Sequence, residues 1–258
     1  MRARLHGRCL LPAIVTVGVW DPFSARHSEL VAQSVTRARS LGLQTLAVVL
    51  DPDPVSFLVG SDLAPPYDAP ETRVRLLTSA GITTVLHVRF CASDLDRGAR
   101  DLMALVGERT DIAELWLGSR QTLGRCEQGS SPTIDECGTQ MGFSVHRFRA
   151  GMPDTSRTTA REALRAGRLG AAALAVGRTP TWHRPRGGAL RLPWKPGSYQ
   201  CVGIEDPITD ACLRAGGVGT SAPVLSVSLE PVSRHVCSMA WPQESGEWLT
   251  FIAGPLDM

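Results

Sequence analysis

The sequence predicts an α/β fold, a parallel sheet wound on both faces, followed by a small β domain. Three observations carry this. Apolar, β-branched runs recur through the first two thirds of the chain, and a stretch with helical apolar spacing follows most of them after a short connection. That alternation marks a doubly wound sheet. Past Gly177 the texture changes to short alternating runs separated by Gly-rich turns, which reads as a small β domain. The expected division is therefore 1–180 and 188–258, with a linker near residues 178–190.

The elements follow in order. Leu11–Trp20 reads as the first strand, and Arg26–Leu41 as a helix through Leu30, Val31, Val35 and Ala38, stopped at Gly42. Thr45–Leu50 is a second strand, ended by Asp51-Pro52-Asp53-Pro54, with a Pro- and Asp-rich loop to about Pro70. Glu71–Ala80 predicts a helix capped by Gly81, Thr83–Val88 a strand, Asp96–Val106 a helix and Ile112–Leu117 a strand ending in Gly118-Ser119. A polar stretch leads to a short helix at Ile134–Met141 and a strand at Phe143–Phe148. Thr158–Ala166 and Leu169–Val176 predict two tandem helices. Tyr199–Ile204, Val224–Leu229 and Trp248–Ile252 are the strands expected beyond the linker.

Composition narrows the function. Hydrophobic residues make up 43% and charged residues 20%, enough for a sizeable core. Lys+Arg 27 against Asp+Glu 25 leaves a net charge of +2, which excludes nucleic-acid binding through bulk charge. The run Ala13–Trp20 ends at Asp21-Pro22, well short of the roughly 20 apolar residues of a membrane span. The opening MRARLHGRCLLPAIV is basic, then apolar, with no small-residue cleavage site after it, so a cytoplasmic protein is expected. The seven cysteines contain no C-x-x-C pair, which points to neither a disulfide framework nor a zinc site. Lys195 is the only lysine, so no Walker motif exists, and any phosphate must be held by arginine, backbone N–H groups or helix N-termini.

Two segments carry candidate chemistry. The first strand runs into GVWDPFSARHSEL, from Gly18 to Leu30, where a turn opens a helix near Ser24–His27. The first strand-to-helix crossing of a doubly wound sheet is where phosphates dock on exposed N–H groups. Ser24 and His27 are candidates to meet such a phosphate; the alternative is an N-cap serine and a surface histidine. The second segment, TSRTTAREALRAG from Thr155 to Gly167, places Ser156 and Thr158 before a helix with Arg161 in its first turns. Hydroxyls and an arginine there suit a second anion site; the alternative is an N-cap followed by a solvated face of Arg161, Arg165 and Arg168.

Taken in this order, the segments resemble the prokaryotic bifunctional FAD synthetases, whose N-terminal module adenylates FMN and whose C-terminal module phosphorylates riboflavin. That family's G-x-F-D-G-x-H-x-G-H is similar to GVWDPFSARH here, and its FDPHP to LDPDP (Leu50–Pro54). Its R-x-x-L-L-x-x-x-G helix matches RVRLLTSAG (Arg73–Gly81), its I-S-S-T-x-x-R-E-A-L matches TSRTTAREAL, and its A-A-x-x-L-G-R resembles LGAAALAVGR, ending at Arg178. The resemblance is collinear over about residues 11–178. It implies a Rossmann-like nucleotidyltransferase domain using ATP and Mg²⁺, with FMN as acceptor and FAD as product. His27 and Ser24 would contact the α-phosphate, Gly18 and Asp21 would belong to the nucleotide site, and Ser156, Thr158 and Arg161 would hold the leaving pyrophosphate.

Departures from the pattern shape the expectation. Arg26 stands where the H-x-G-H part of the signature has its glycine, and a side chain there crowds a close backbone approach. The family's G-x-D-F-x-F-G reads GSRQTLG here, from Gly118 to Gly124, so Arg120 replaces an acid and Gln121 and Leu123 replace aromatics. Gly118, Arg120 and Gly124 are the expected acceptor-site residues, and the acceptor is FMN or another phosphorylated compound. LPWKPGSYQCVGI (Leu192–Ile204) is similar to a kinase-half strand, but G-x-P-T-A-N has no counterpart and Ser226 aligns with the catalytic Glu. A degenerate barrel without riboflavin kinase activity is expected. The alternative is a repurposed paralogue that binds or regulates, or acts on a specialised metabolite.

The remaining polar residues read as structural. Asp51 and Asp53 flank prolines and suit a turn, and His87 suits a core or sheet-edge histidine. His146 and His235 have no partner at a telling spacing, Trp182 and His183 fall in the linker, and Cys126 and Cys137 bracket a polar loop.

Overall fold

In the computed structural model the described residues are 2–6, 11–55, 65–119, 121, 123, 131–149, 156–184, 189–192, 194–204, 224–233, 236–240, 242 and 248–254. The chain packs as two compact units. One comprises Met1–Trp20, Arg26–Pro54 and Leu77–Pro153; the other comprises Asp21–Ala25, Val55–Leu76 and Asp154–Met258.

The first unit is built on a six-stranded sheet. Its strands are β1 (Arg2–His6), β2 (Ala13–Gly18), β3 (Gln44–Asp51), β4 (Thr84–Arg89), β5 (Ile112–Gly118) and β6 (Ser144–Phe148), in the spatial order β1-β4-β3-β2-β5-β6. All pairings are parallel except the edge strand β1, which runs antiparallel to β4. The parallel strands thus follow the Rossmann order, and the direction of winding reverses between β2 and β5.

Alternation along the strands explains the layers. Val15, Val17, Leu46, Val48, Leu86, Leu115 and Leu117 share one buried cluster with helices α3 (Ala99–Gly107) and α4 (Ser131–Met141), through Leu102, Met103, Val106, Ile134 and Cys137. α1 (Ala25–Leu41) covers the opposite face, because its Arg37 reaches Glu114, whose neighbour Leu115 points the other way. α1 buries Leu30, Val31, Ser34, Val35 and Ala38, a stripe at helical spacing, and ends at Gly42 with φ +66°. α2 (Pro70–Ser79) starts on a proline, whose fixed φ suits the first helical turn.

The second unit holds helices α5 (Ser156–Ala166) and α6 (Leu169–Val176) and another six-stranded sheet. Its strands are β7 (Thr181–His183), β8 (Ala189–Leu192), β9 (Gly197–Ile204), β10 (Val224–Ser233), β11 (Val236–Ala240) and β12 (Trp248–Ala253), in the order β7-β12-β9-β10-β11-β8. Every pairing is antiparallel. Aromatic rings fill its core: Trp194 meets Trp182 edge-on at 6.2 Å and Phe251 edge-on at 5.2 Å, with Tyr199 tilted at 5.8 Å. Ala160, Ala163, Leu164, Leu169 and Ala172 bring the two helices into the same cluster. At Gly254 a Cβ would lie 2.6 Å from the Gly167 carbonyl oxygen, so only glycine allows that approach.

Several expected elements need correction. β1 was not expected, because RARLH lacks an apolar run; it forms as a sheet edge with Arg4 and Leu5 exposed. The first strand is shorter than Leu11–Trp20, since Trp20 takes φ +58° and leaves the pleat. Part of the expected linker is strand β7, where Thr181 pairs with Thr250 and Trp182 is buried. The pairing partner lies about seventy residues later in the chain, beyond any local periodicity.

Candidate functional site

The crevice at a winding reversal, outside the carboxyl ends of the strands, is where open α/β sheets take ligands. In the first unit those ends are Gly18 of β2 and Gly118 of β5. The Gln121 side chain ties them together: its Nε2 donates to the Val17 carbonyl at 2.6 Å, and its Oε1 accepts from Gly118 N–H at 3.2 Å. Arg147 on β6 donates to the Gln121 carbonyl at 3.2 Å. The sequence marked Gln121 only as a lost aromatic; a single amide bridging two strand ends has no local signal. Leu123 is buried in the aliphatic cluster. Arg120 and Gly124 lie outside the described residues.

Trp20 shapes the turn after β2. A bulky residue with φ +58° is strained, on the order of 1–3 kcal/mol. Its ring is buried and its Nε1 donates to the Val48 carbonyl at 2.9 Å, which offsets that cost. The ring lies back over Gly18, where an added Cβ would stand 3.0 Å from it. A side chain at Gly18 would therefore press on the Trp20 ring and force it to shift by a few tenths of an ångström. The His27 ring, in the first turn of α1, packs against Trp20 at 5.2 Å between centroids. Gly18, Trp20 and His27 thus come together in the first unit. Arg26 beside them is half-buried, and its Nε is enclosed with no hydrogen-bond partner among the described residues.

The second unit assembles a buried charge cluster. Asp21, 3% exposed, accepts hydrogen bonds from Tyr67 N–H and Asp68 N–H at 3.0 Å. Burial raises its pKa above the ordinary carboxylate value; the nearby cations of Arg73 and Arg161 oppose that rise, and the Asp68 carboxylate adds to it. Asp68 in turn forms a buried two-pronged ion pair with Arg178, Nη1 to Oδ1 at 2.7 Å with Nη2 on Oδ2. Tyr67 donates its hydroxyl to the Arg178 carbonyl, and the Arg178 guanidinium lies 5.3 Å from the Tyr67 ring. Trp182 Nε1 donates to the Tyr67 carbonyl at 3.1 Å, and Thr72 donates to the Thr181 carbonyl at 2.8 Å. Asp21 is therefore seated on backbone N–H groups.

Among the other expected site residues, Ser24 is buried and Arg161 is 9% exposed. Ser156 opens α5, its side chain lying outside the described residues, and Thr158 is exposed on that helix. His87 sits on β4 between two strands, its Nε2 3.4 Å from Asp51 Oδ2. His146 does have partners. It stacks on Trp116 at 5.2 Å and lies 3.5 Å from Glu114, which Arg37 and the Trp116 Nε1 also hold. Register supplies the reason, because Trp116 and His146 are direct neighbours across parallel β5 and β6. His235 and Cys126 lie outside the described residues. Cys137 and Cys201 are buried thiols, and burial pushes Cys201 up to about 12.

A sequence profile of FAD synthetase matches residues 8–159, more than half of the chain. The chain belongs to the FAD synthetase family. That match begins after β1 and ends within α5 of this FAD synthetase family member. A bifunctional riboflavin kinase/FMN adenylyltransferase of Buchnera aphidicola subsp. Acyrthosiphon pisum (strain APS) is 22% identical over 170 residues, which is 64% of this chain and 54% of that protein. A Geobacillus thermodenitrificans (strain NG80-2) protein, provisionally named for the same two activities, is 26% identical over 125 residues, 48% of this chain and 67% of that protein. The chain thus spans about half to two thirds of the curated relatives it matches. In fold it is similar to a crystal structure titled macrolide-efflux protein from Streptococcus pneumoniae, with TM-score 0.61, 16% identity, and coverage of 94% of this chain and 84% of that one. Among the described residues of this family member, no helix is long and apolar enough to cross a membrane.

Proposed function

We propose that this FAD synthetase family member is a nucleotidyltransferase that moves an adenylyl group from ATP to FMN or another phosphorylated acceptor, releasing pyrophosphate. The observation that carries the reading is the family match across 8–159, which takes in the Gly18–His27 turn where Trp20 holds the His27 ring at the head of α1. On this reading an acceptor phosphate oxygen attacks the α-phosphorus, the new P–O bond forms as the bond to the β-phosphate oxygen breaks, and pyrophosphate leaves. His27, with Ser24, stabilises the charge that gathers on the α-phosphate, while Ser156, Thr158 and Arg161 meet the departing anion. Positioning and charge stabilisation supply the rate without a covalent intermediate.

Among the described residues no group of three or more His, Cys, Asp or Glu side chains fits a metal ion. On this reading Mg²⁺ bound with the nucleotide would neutralise part of the triphosphate charge, and Ser156, Thr158 and Arg161 would meet the departing anion. Residues 1–180 form the transferase portion, and 188–258 derive from a riboflavin kinase barrel that has lost its activity, with Ser226 in the position of the base. The protein works in the cytoplasm.

The test is a single incubation of purified protein with Mg²⁺, ATP and FMN, reading pyrophosphate release and product masses together. FAD with equal pyrophosphate is expected, and His27→Ala is expected to lower the rate at least a hundredfold. No FAD and no pyrophosphate would overturn the reading. One observation favours a second reading, a repurposed paralogue without transfer: the half-buried Arg26 at the glycine position of the signature. A wild-type protein that is silent and an Arg26→Gly variant that makes FAD would establish it.

A further inference from the structure

Arg147 stands on strand β6, opposite Leu117 of β5 and one residue before the strand ends at Phe148. That places it at the carboxyl ends of the strands, beside the winding reversal. Its Nη1 donates to the Gln121 carbonyl at 3.2 Å. Gln121 is a firm anchor, because its own N–H donates to the Gly118 carbonyl at 3.0 Å and its side chain joins Gly118 to Val17. The other edge of the guanidinium is unused. Nε and Nη2 are both enclosed, and neither has a hydrogen-bond partner among the described residues. These two nitrogens direct their N–H bonds in parallel, the geometry that grips two oxygens of one anion. Arg37, in the same unit, has that edge filled: its Nε and Nη2 both donate to Glu114, at 3.0 and 2.8 Å. No acid among the described residues does this for Arg147. An enclosed charged donor without an acceptor is costly, and a bound anion accounts for it.

We propose that Arg147 binds the phosphate monoester of the acceptor: Gln121 holds the guanidinium by Nη1, and Nε and Nη2 grip two phosphate oxygens. The residue as a whole is half-buried, so an anion reaches that edge through a local shift of its cover. The arginine hangs from Gln121, inside the Gly118–Gly124 segment read as acceptor-binding, which assigns it to the acceptor and not to the nucleotide. This rests on the transferase reading above and deepens it. The acceptor is then selected by its phosphate, and the same compound without the phosphate is bound poorly.

The experiment titrates FMN and riboflavin separately into the full chain by flavin fluorescence, and ATP by calorimetry, for wild type, Arg147→Gln and Arg147→Lys. Gln keeps a donor for the Gln121 carbonyl, and Lys keeps the charge without the fork. The quantity read is the ratio of FMN to riboflavin affinity within each protein. Partial unfolding lowers both affinities alike and leaves that ratio unmoved. Wild type is expected to prefer FMN, and Arg147→Gln to lose about tenfold of that preference. Arg147→Lys should recover only part of it, with ATP bound equally by all three. An unchanged preference in Arg147→Gln would overturn the proposal. So would a loss of ATP binding as large as the loss of FMN binding, which would give the arginine to the nucleotide. If wild type binds neither flavin, the FMN reading fails by itself, and calorimetry with inorganic phosphate decides the arginine: weaker binding in Arg147→Gln sustains the proposal, and equal binding sinks it.

Discussion

The two units solve the problem of a stable interior by different chemistry. The sheet of the first unit buries aliphatic side chains on both faces, and its buried polar insertions are three threonines, Thr16, Thr45 and Thr84, and one acid, Glu114 at 6% exposure. The second unit buries Asp21, Asp68, Arg73, Arg161 and Arg178 together with tryptophan, tyrosine and phenylalanine rings. A parallel sheet covered on both faces needs only apolar alternation to be specified. A buried ion cluster adds little net stability but tolerates few arrangements, because each misplaced charge is left desolvated. The first unit is therefore robust in pattern, and the second is exacting in geometry.

The largest effect should come from breaking the exacting region. Asp68→Ala leaves the Arg178 guanidinium buried without its partner and should cost about 3–5 kcal/mol in urea unfolding. Replacing both, Asp68→Leu with Arg178→Met, should recover most of that loss. A double variant as unstable as the single would mean that the hydrogen bond Asp68 accepts from Thr181 N–H matters more than the charge pair.

A smaller effect, of opposite sign, is expected in the aliphatic sheet. The Thr16 hydroxyl is enclosed with no hydrogen-bond partner among the described residues. Thr16→Val keeps the shape and removes that cost, so stability should rise by about 1 kcal/mol. A loss on unfolding in urea would show that the hydroxyl is satisfied after all.

The smallest effect belongs to Glu114, the buried acid of that sheet. Burial raises its pKa, but the Arg37 and Trp116 hydrogen bonds and the His146 charge outweigh it, so the folded value lies below the ordinary glutamate value of 4.5. A depressed folded pKa means the contribution is fully present above pH 4.5 and is lost as pH falls through the folded value. Wild type should therefore lose more melting temperature between pH 5 and pH 3 than Glu114→Gln does. Parallel curves for the two proteins would remove Glu114 as a source of acid sensitivity.

Legibility in the sequence followed the same divide. Strands β2, β3, β4 and β5 and the buried stripe of α1 were readable because apolar periodicity is local and each run carries its own signal. The Gly18–His27 and Ser156–Arg161 segments were readable as candidate site pieces because their residue types and order match a known pattern. β1, β7, β8 and β11 were not, since short or polar strands acquire identity only from a partner. Asp21 carries no local sign that the Tyr67 and Asp68 N–H groups, more than forty residues later, donate to it; only the fold brings them there.

The amino-acid sequence alone determined the doubly wound class, the strand-to-helix turn with its histidine, and the family whose pattern it follows, because these depend on neighbours within a few residues. Only the tertiary structure decided that Trp20 folds back on Gly18 and His27, that Gln121 joins two strand ends, that His146 meets Glu114, and that Asp68 finds Arg178 across 110 positions. Apart from the Trp20 packing, those contacts join residues far apart in the chain, and their energies depend on desolvation and register, which no local pattern records.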